Sequence, residues 1–203
     1  MEAQVLESVG AKFDHAAHAV LSIRAVLPIY RDLLGGTLEG GGFNPWGGHL
    51  AIQFVYPGGG RIELLEPTQA DAPSVGNFLA RNPRGGLHHL TFKVADLEVA
   101  MGELAKLGIE PFGTLTESDN WKETYLHPRQ TGGVLIQLAQ AGPGIPPPLH
   151  QPLEEILDEA ETRRQAATPG GATPGGATPG GATPGGATPG RATPGGATPG
   201  GAA

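Results

Sequence analysis

Cysteine is absent from this chain of 203 residues, and so are long hydrophobic runs. Without cysteine the chain can form neither a disulfide framework nor a thiolate nucleophile. No run approaches the roughly 20 apolar residues that a membrane span needs, and residues 1–12 contain no apolar core of a signal peptide. The formal net charge of −7 argues against a nucleic-acid partner. We therefore expect a cytoplasmic protein with neither a membrane nor a nucleic acid as its partner.

Large apolar side chains are missing from the last part of the chain. The segment Ala-Thr-Pro-Gly-Gly repeats seven times between Ala167 and Gly201, with Arg191 as the one substitution. Proline at every fifth position blocks helices and central strands, and the glycines raise the entropic cost of ordering. We predict a disordered repeat tail over residues 167–203. Residues 142–166, which precede it, are predicted to be a linker and a short acidic helix.

The remaining chain holds two copies of one pattern after a leader over residues 1–11. An offset of 74 residues separates His15 from His89, and the same offset separates Glu63 from Gln137. Such self-similarity predicts two copies of a structural unit, each with a histidine on its first strand and a carboxylate or amide on its last. Two imidazoles, a carboxylate and an amide oxygen are ligands that suit a divalent metal ion.

Each copy has the element order β-α-β-β-β, in units over residues 12–66 and 86–141. One such unit leaves a face of its sheet uncovered, so two tandem units are expected to pack side by side. We therefore predict one α+β domain over residues 12–141. Its two tandem βαβββ units form a curved eight-stranded sheet, with helices on the convex side and a concave metal-binding cleft.

The alternation of side chains along strands assigns residues to the two faces of this sheet. Glu63 can face the cleft while its neighbours Ile62 and Leu64 face the helices. On the first strand, Ala17 and Ala19 share a face with the first histidine. These small side chains are expected to leave room for a ligand.

Local signals predict the first helix and the segments around it. Ser22 precedes apolar positions that are spaced for a helix over residues 23–34, so it is the predicted N-cap. Pro28 lies inside this span and predicts either a kink or the true first turn. Residues 40–48 are predicted to be a glycine-rich loop. Glu66, directly before a proline, is predicted to face solvent.

The sequence resembles the vicinal oxygen chelate superfamily, which includes glyoxalase I, extradiol dioxygenases and fosfomycin-resistance proteins. Within it, the resemblance is strongest to the methylmalonyl-CoA epimerases. The stretches that carry it, within about residues 11–141, are Asp14-His15, Tyr30 to Gly35, Arg61 to Pro67, Ser74 to Leu79, Gly86 to His89, and Leu126 to Pro128 with Gly132 to Ile136. The resemblance implies the same fold and one bound divalent ion, which would be Co, Zn, Ni, Mn or Fe.

The resemblance implies that His15, Glu63, His89 and Gln137 are the metal ligands. The epimerases have glutamine at the second of these positions and glutamate at the fourth, so the two are exchanged here. The epimerases also have a further glutamate in the loop after the first helix, whereas residues 40–48 contain no acid. Because Gln137 cannot titrate, Glu63 is the predicted catalytic base.

Two classes of function follow from these residues. The first is a metal-dependent isomerase, epimerase or lyase that stabilises an enolate beside a carbonyl. The second is a non-catalytic binding protein of the resistance or sequestration type, which would need no acid in the loop. An extradiol-type dioxygenase is a further alternative, although its carboxylate ligand would occupy the position of Gln137.

The enzyme hypothesis predicts a small-molecule carbonyl compound or an acyl-CoA as the substrate. A CoA thioester would favour basic residues at the rim of the cleft, and the candidates are Arg61, Arg81, Arg84 and Lys122. A homodimer formed through the sheet edges is a further expectation.

Overall fold

The computed structural model describes residues 9–69 and 72–167. Residues 1–8 of the predicted leader and residues 168–203 of the predicted repeat tail lie outside these ranges. The described elements are β1 (Lys12–Ala19), α1 (Ile23–Leu27), β2 (Thr37–Asn44), β3 (His49–Val55), β4 (Arg61–Pro67), α2 (Val75–Arg81), β5 (Gly86–Lys93), α3 (Leu97–Lys106), β6 (Phe112–Leu115), β7 (Trp121–Leu126), β8 (Ile136–Ala141) and α4 (Leu153–Ala167). None of the helices in the described ranges combines the length and the apolar character needed to cross a membrane.

All eight of these strands form one sheet in the order β2-β3-β4-β1-β5-β8-β7-β6. The first strands of the two units, β1 and β5, pair antiparallel at its centre, whereas β1 pairs parallel with β4 and β5 parallel with β8. The two halves of the order are therefore equivalent, with one β-α-β-β-β unit in each. The predicted α+β architecture, with two tandem units in a curved eight-stranded sheet, is confirmed.

Apolar side chains at alternate strand positions pack against helices on one face of the sheet. Phe54 and Leu64 pack with Ile23 of α1, and Leu138 packs with Leu97 of α3. Ile62 and Ile136 adjoin these clusters. The polar residues between them on β4 and β8 consequently point to the other face, as strand alternation predicts.

The predicted first helix changes its character at Pro28. The α-helix α1 ends at Leu27, and Pro28–Leu33 continues as a π-helical segment. In this segment the N–H of Leu34 donates to the carbonyl of Ile29 at 2.9 Å. Because proline has no N–H to donate to the preceding turn, the i→i−4 ladder is interrupted there, and the wider turn takes its place.

Glu66, and not Ser22, caps the N-terminus of α1. Ser22 makes no side-chain capping bond, whereas Glu66 Oε2 accepts a hydrogen bond from the N–H of Ile23 at 2.6 Å. Glu66 is 2% exposed, and its other oxygen accepts a hydrogen bond from Arg164 of α4. The prediction that Glu66 faces solvent is therefore wrong. Alternation along β4 turns this side chain toward the helices, where a helix N-terminus needs an acceptor.

The predicted glycine-rich loop over residues 40–48 is strand in its first half, because β2 continues to Asn44 and pairs with β3 throughout. The linker lies directly against this strand: the N–H of Gly41 donates to the carbonyl of Pro147 at 3.0 Å. A Cβ atom at Gly40 would lie 2.3 Å from the same carbonyl oxygen. Glycine at this position thus permits the close approach of the linker.

The predicted acidic helix is longer than its apolar pattern suggested and includes Ala167, the first residue of the predicted tail. Its apolar face, with Ile156 and Leu157, joins the core formed by α1 and the first unit of the sheet. On its polar side, Glu154 Oε2 pairs with Arg24 Nη1 at 2.6 Å. Residues that follow the two units therefore complete the core of the first one.

Replacing Glu66 with alanine is expected to lower the free energy of unfolding by about 1–3 kcal/mol, because the buried N–H of Ile23 loses its acceptor. Chemical denaturation followed by circular dichroism measures this change. The control is Glu161→Ala, which removes an exposed carboxylate from α4 and is expected to change the free energy by no more than about 0.5 kcal/mol. Equal effects of the two substitutions would contradict the capping role.

Candidate metal centre

Three of the four predicted ligands converge on the concave face of the sheet. His15 Nε2 lies 3.5 Å and His89 Nε2 lies 3.9 Å from the same oxygen, Glu63 Oε2. One ligand atom from each of the three residues lies within 4.8 Å of the others. The sheet brings them together because Ala17 of β1 pairs with Glu63 on one side and with His89 on the other. This group could hold a metal ion.

His89 presents a buried nitrogen to this group. Its Nε2 has no hydrogen-bond partner among the described residues, and the side chain is 5% exposed. Burial lowers the pKa of His89 to about 3, so the ring is neutral. Its Nδ1 lies 2.8 Å from His88 Nδ1. With the proton of His89 on Nδ1, the lone pair of Nε2 points at Glu63, which is the arrangement of a histidine ligand.

Glu63 is held as a carboxylate. Burial raises the pKa of Glu63, but its hydrogen bond to His15 and the nearby imidazole charge outweigh burial and bring the pKa to about 2. Gln53 lies opposite Glu63 in the β3–β4 pairing and donates from Nε2 to Glu63 Oε1 at 3.0 Å. The second oxygen, Oε2, is left for the two histidines.

Asp14 orients the ring of His15. A bulge in β1 between Phe13 and His15 lets these adjacent side chains meet, and His15 Nδ1 donates to Asp14 Oδ2 at 2.8 Å. Burial lowers the pKa of His15, but Asp14 and Glu63 raise it to about 9. Burial raises the pKa of Asp14, but His15 and Lys93 bring it down to about 2. A carboxylate on Nδ1 is the usual support of a metal-binding histidine, and it turns Nε2 to the cleft.

Gln137, the fourth predicted ligand, is joined to the cluster through Thr91. The hydroxyl of Thr91 donates to Gln137 Oε1 at 2.6 Å and lies 3.0 Å from His15 Nε2. The amide nitrogen of Gln137 donates to Glu123 Oε2 at 2.7 Å and to the hydroxyl of Tyr125 at 3.0 Å. The carbonyl end of Gln137 therefore points toward His15, with one hydroxyl between them. Its role as a ligand stays a prediction.

Glu123 is a second carboxylate on the concave face, and sequence reasoning missed it. Besides Gln137, it accepts a hydrogen bond from the indole N–H of Trp121 at 2.7 Å. Burial raises the pKa of Tyr125 above its usual range, and the charge of Glu123 raises it further. The signal was present in the alternation of Trp121, Glu123 and Tyr125, which places all three on the face that carries Gln137.

The open space of the cleft is not where the small residues of β1 predicted it. Val75 and Leu79 of α2 pack on Ala17 and Ala19 and fill that part of the concave face. A cavity of about 410 Å³ lies beside α2 instead. It adjoins the metal-ligand cluster through His88, which lines the cavity and contacts His89.

Comparison with known proteins places the two units in context. A sequence profile of the Glyoxalase/Bleomycin resistance protein/Dioxygenase superfamily matches residues 14–125, which include His15, Glu63 and His89 but not Gln137. The mitochondrial methylmalonyl-CoA epimerase of Mus musculus is 33% identical over 132 residues, which are 64% of this chain and 73% of that protein. An ethylmalonyl-CoA/methylmalonyl-CoA epimerase of Cereibacter sphaeroides is 31% identical, and the match covers 64% of this chain and 97% of that protein.

A solved structure carries the same similarity. It is a methylmalonyl-CoA epimerase in complex with methylmalonyl-CoA and NH4+, and it superposes with a TM-score of 0.58 at 27% sequence identity. The superposition covers 65% of this chain and 95% of that one.

Proposed function

Since this chain belongs to the Glyoxalase/Bleomycin resistance protein/Dioxygenase superfamily, we propose that it is a divalent-metal-dependent epimerase acting beside the carbonyl of an acyl-CoA thioester. The observation that carries the proposal is the convergence of His15, Glu63 and His89, with a buried nitrogen of His89 that lacks a partner among the described residues. The relatives named for methylmalonyl-CoA and ethylmalonyl-CoA support the substrate class.

The residues that would hold the ion are His15, Glu63 and His89, with Gln137 as the fourth. Their nitrogen and oxygen donors suit Co, Zn, Ni, Mn or Fe(II). A bound divalent ion supplies Lewis acidity to substrate oxygens, which lowers the barrier to removing a proton from the adjacent carbon. The hydrogen bonds of Asp14 to His15, and of Thr91 to Gln137, fix the donor atoms before any ligand arrives.

Glu63 acts as one of the proton-transfer groups in this proposal. It is ionised, and Gln53 occupies only one of its two oxygens. A carboxylate in this state can accept the proton of the substrate carbon as a general base.

Inversion of a carbon centre also needs a group that returns the proton to the opposite face. Glu63 belongs to the first unit and Glu123 to the second, with His15, Thr91 and Gln137 in hydrogen-bonded sequence between them. We assign the second face to Glu123. In this reading the chain replaces the acid that residues 40–48 lack with a carboxylate from the other unit.

Loading the chain with Co(II) is expected to let it convert one epimer of methylmalonyl-CoA into a mixture of both and to wash solvent deuterium into the substrate carbon. Mass spectrometry and a stereospecific coupled assay measure these changes against the uncatalysed rate and against protein treated with a chelator. Binding of metal and thioester without deuterium exchange would replace the proposal with the non-catalytic binding protein. Full activity after complete removal of metal would overturn the metal dependence.

The cytoplasmic location belongs to this proposal as well. It rests on the absence of an apolar core from residues 1–12, whereas the similar protein of Mus musculus is named as mitochondrial. Fractionation of cells that express the full chain tests it.

A further inference from the structure

The cavity beside the metal-ligand cluster is built by three parts of the chain that the sheet brings together. α2 forms one wall, with Ser74 and Phe78 at its start and middle, and the segments that lead into β5 and β8 form the others. Its volume of about 410 Å³ lies within the range of small-molecule pockets. The cavity therefore has the size of a site that holds part of a ligand.

One end of this cavity meets the candidate metal centre. His88 Nδ1 lies 2.8 Å from His89 Nδ1, and His88 Nε2 lies 3.2 Å from Ser74 Oγ in the cavity wall. A molecule that has its reacting carbon beside His89 and Glu63 can thus extend past His88 into the cavity.

The walls of the cavity are mainly apolar. Leu87, Val134 and Leu135 line it together with Phe112, whose ring centroid is 5.7 Å from that of His127. Surfaces of this kind bury methylene groups, whereas the few polar side chains fix their orientation. The pantetheine arm of a CoA thioester, which combines methylene groups with amides, has the matching chemistry.

The mouth of the cavity carries positive charge. Arg81, in the last turn of α2, lines the cavity and is exposed. Neither aspartate nor glutamate is among the described residues that line the cavity, although the chain as a whole carries a net charge of −7. Within the described ranges Arg81 forms no ion pair. A guanidinium at the mouth of an apolar channel is suited to phosphate, which it can bind through two parallel hydrogen bonds.

We propose that this cavity is the subsite for the phosphate-bearing tail of the substrate, with the pantetheine arm along its apolar walls and Arg81 on the phosphates at its mouth. The inference rests on the proposed function for the class of substrate, and it adds where the non-reacting part of that substrate binds. No bond is made or broken at this subsite.

Free CoA tests the subsite without any reaction. Arg81→Gln in the full chain is expected to weaken CoA binding about tenfold, because one charge-assisted contact with phosphate is lost. Arg84→Gln is the matched control, since it removes an equally exposed arginine three positions away that does not line the cavity. Isothermal titration calorimetry at physiological salt, where distant charges are screened, compares the two. Pantetheine, which lacks the diphosphate, is expected to bind both variants and the wild type equally.

Kinetics with two thioesters supply the second measurement. With methylmalonyl-CoA, Arg81→Gln is expected to raise KM about tenfold and to leave kcat unchanged, because the lost contact lies away from the reacting carbon. With the N-acetylcysteamine thioester of methylmalonate, which has no phosphate, KM is expected to be the same in Arg81→Gln and the wild type.

The outcomes separate this inference from the proposed function. Weaker CoA binding by Arg81→Gln in a protein that catalyses no epimerisation would uphold the subsite and sink the enzyme. Epimerase activity with equal effects of Arg81→Gln and Arg84→Gln on CoA would uphold the enzyme and overturn the subsite.

Discussion

Substituting glutamine for Glu63 or for Glu123 is expected to slow epimerisation at least about 100-fold, while each variant still exchanges the substrate hydrogen of one epimer. The reason is that each carboxylate serves one face of the carbon. A variant that lacks one of them can still remove the proton on the intact side and return a deuteron to that same side. The two variants are expected to show opposite preferences for the two epimers.

The measurement uses each pure epimer of methylmalonyl-CoA in D2O, with mass spectrometry for deuterium and a stereospecific assay for inversion. Metal content is measured in parallel, because both side chains touch the candidate centre. Glu117→Gln, an exposed acid just before β7, is the control and is expected to keep full activity. If Glu123→Gln slows exchange from both epimers equally, Glu123 acts only by positioning Gln137. If Glu63→Gln exchanges both epimers at the wild-type rate, Glu63 is not a base.

The double variant His15→Ala/His89→Ala is expected to lose the metal ion altogether. Its content falls from about one ion per chain to below about 0.1, because two of the four donors disappear and the remaining oxygens bind transition metals weakly. Epimerase activity is expected to fall by at least about 1,000-fold with it. Elemental analysis and the visible absorption of bound Co(II) report the site independently of activity.

His18→Ala is the matched control for that experiment. His18 also lies on β1, but its ring contacts Tyr30 and not the cluster. This variant is expected to bind metal like the wild type, and circular dichroism shows whether either variant has lost its fold. Metal bound equally by the double variant, or by no form of the protein after incubation with Co(II), Mn(II), Ni(II) or Zn(II), would refute the centre.

The sheet and three residues of the candidate centre could be predicted from sequence because both depend on a periodic signal. The offset of 74 residues repeats the strand order, and a strand exposes every second side chain to the same face. Once His15 and His89 lie on paired first strands, Glu63 on the neighbouring strand has one position available. The convergence of His15, Glu63 and His89 in space follows from the register of a regular sheet.

The features that sequence reasoning missed depend on partners that lie far apart in the chain. Glu66 caps a helix that begins 43 residues earlier, and its other partner, Arg164, lies 98 residues later. Glu123 matters because it meets Gln137, 14 residues away across two strands. Asp14 supports its own neighbour only through a bulge in β1. Nothing in the local pattern of hydrophobic residues encodes such contacts, since each requires the assembled sheet.

The linker that runs along β2 makes the two ends of the sheet unequal. With the N–H of Gly41 already bonded to Pro147, this outer strand has a donor occupied and a second segment lying over it. At the opposite end β6 is open, but it is four residues long and exposed at every position. Short outer strands and covered ones both discourage the strand-by-strand joining that leads to aggregation. Two copies of this protein that extend one another's sheets would therefore meet at β6, which would leave both linkers on the outside of a two-fold symmetric pair.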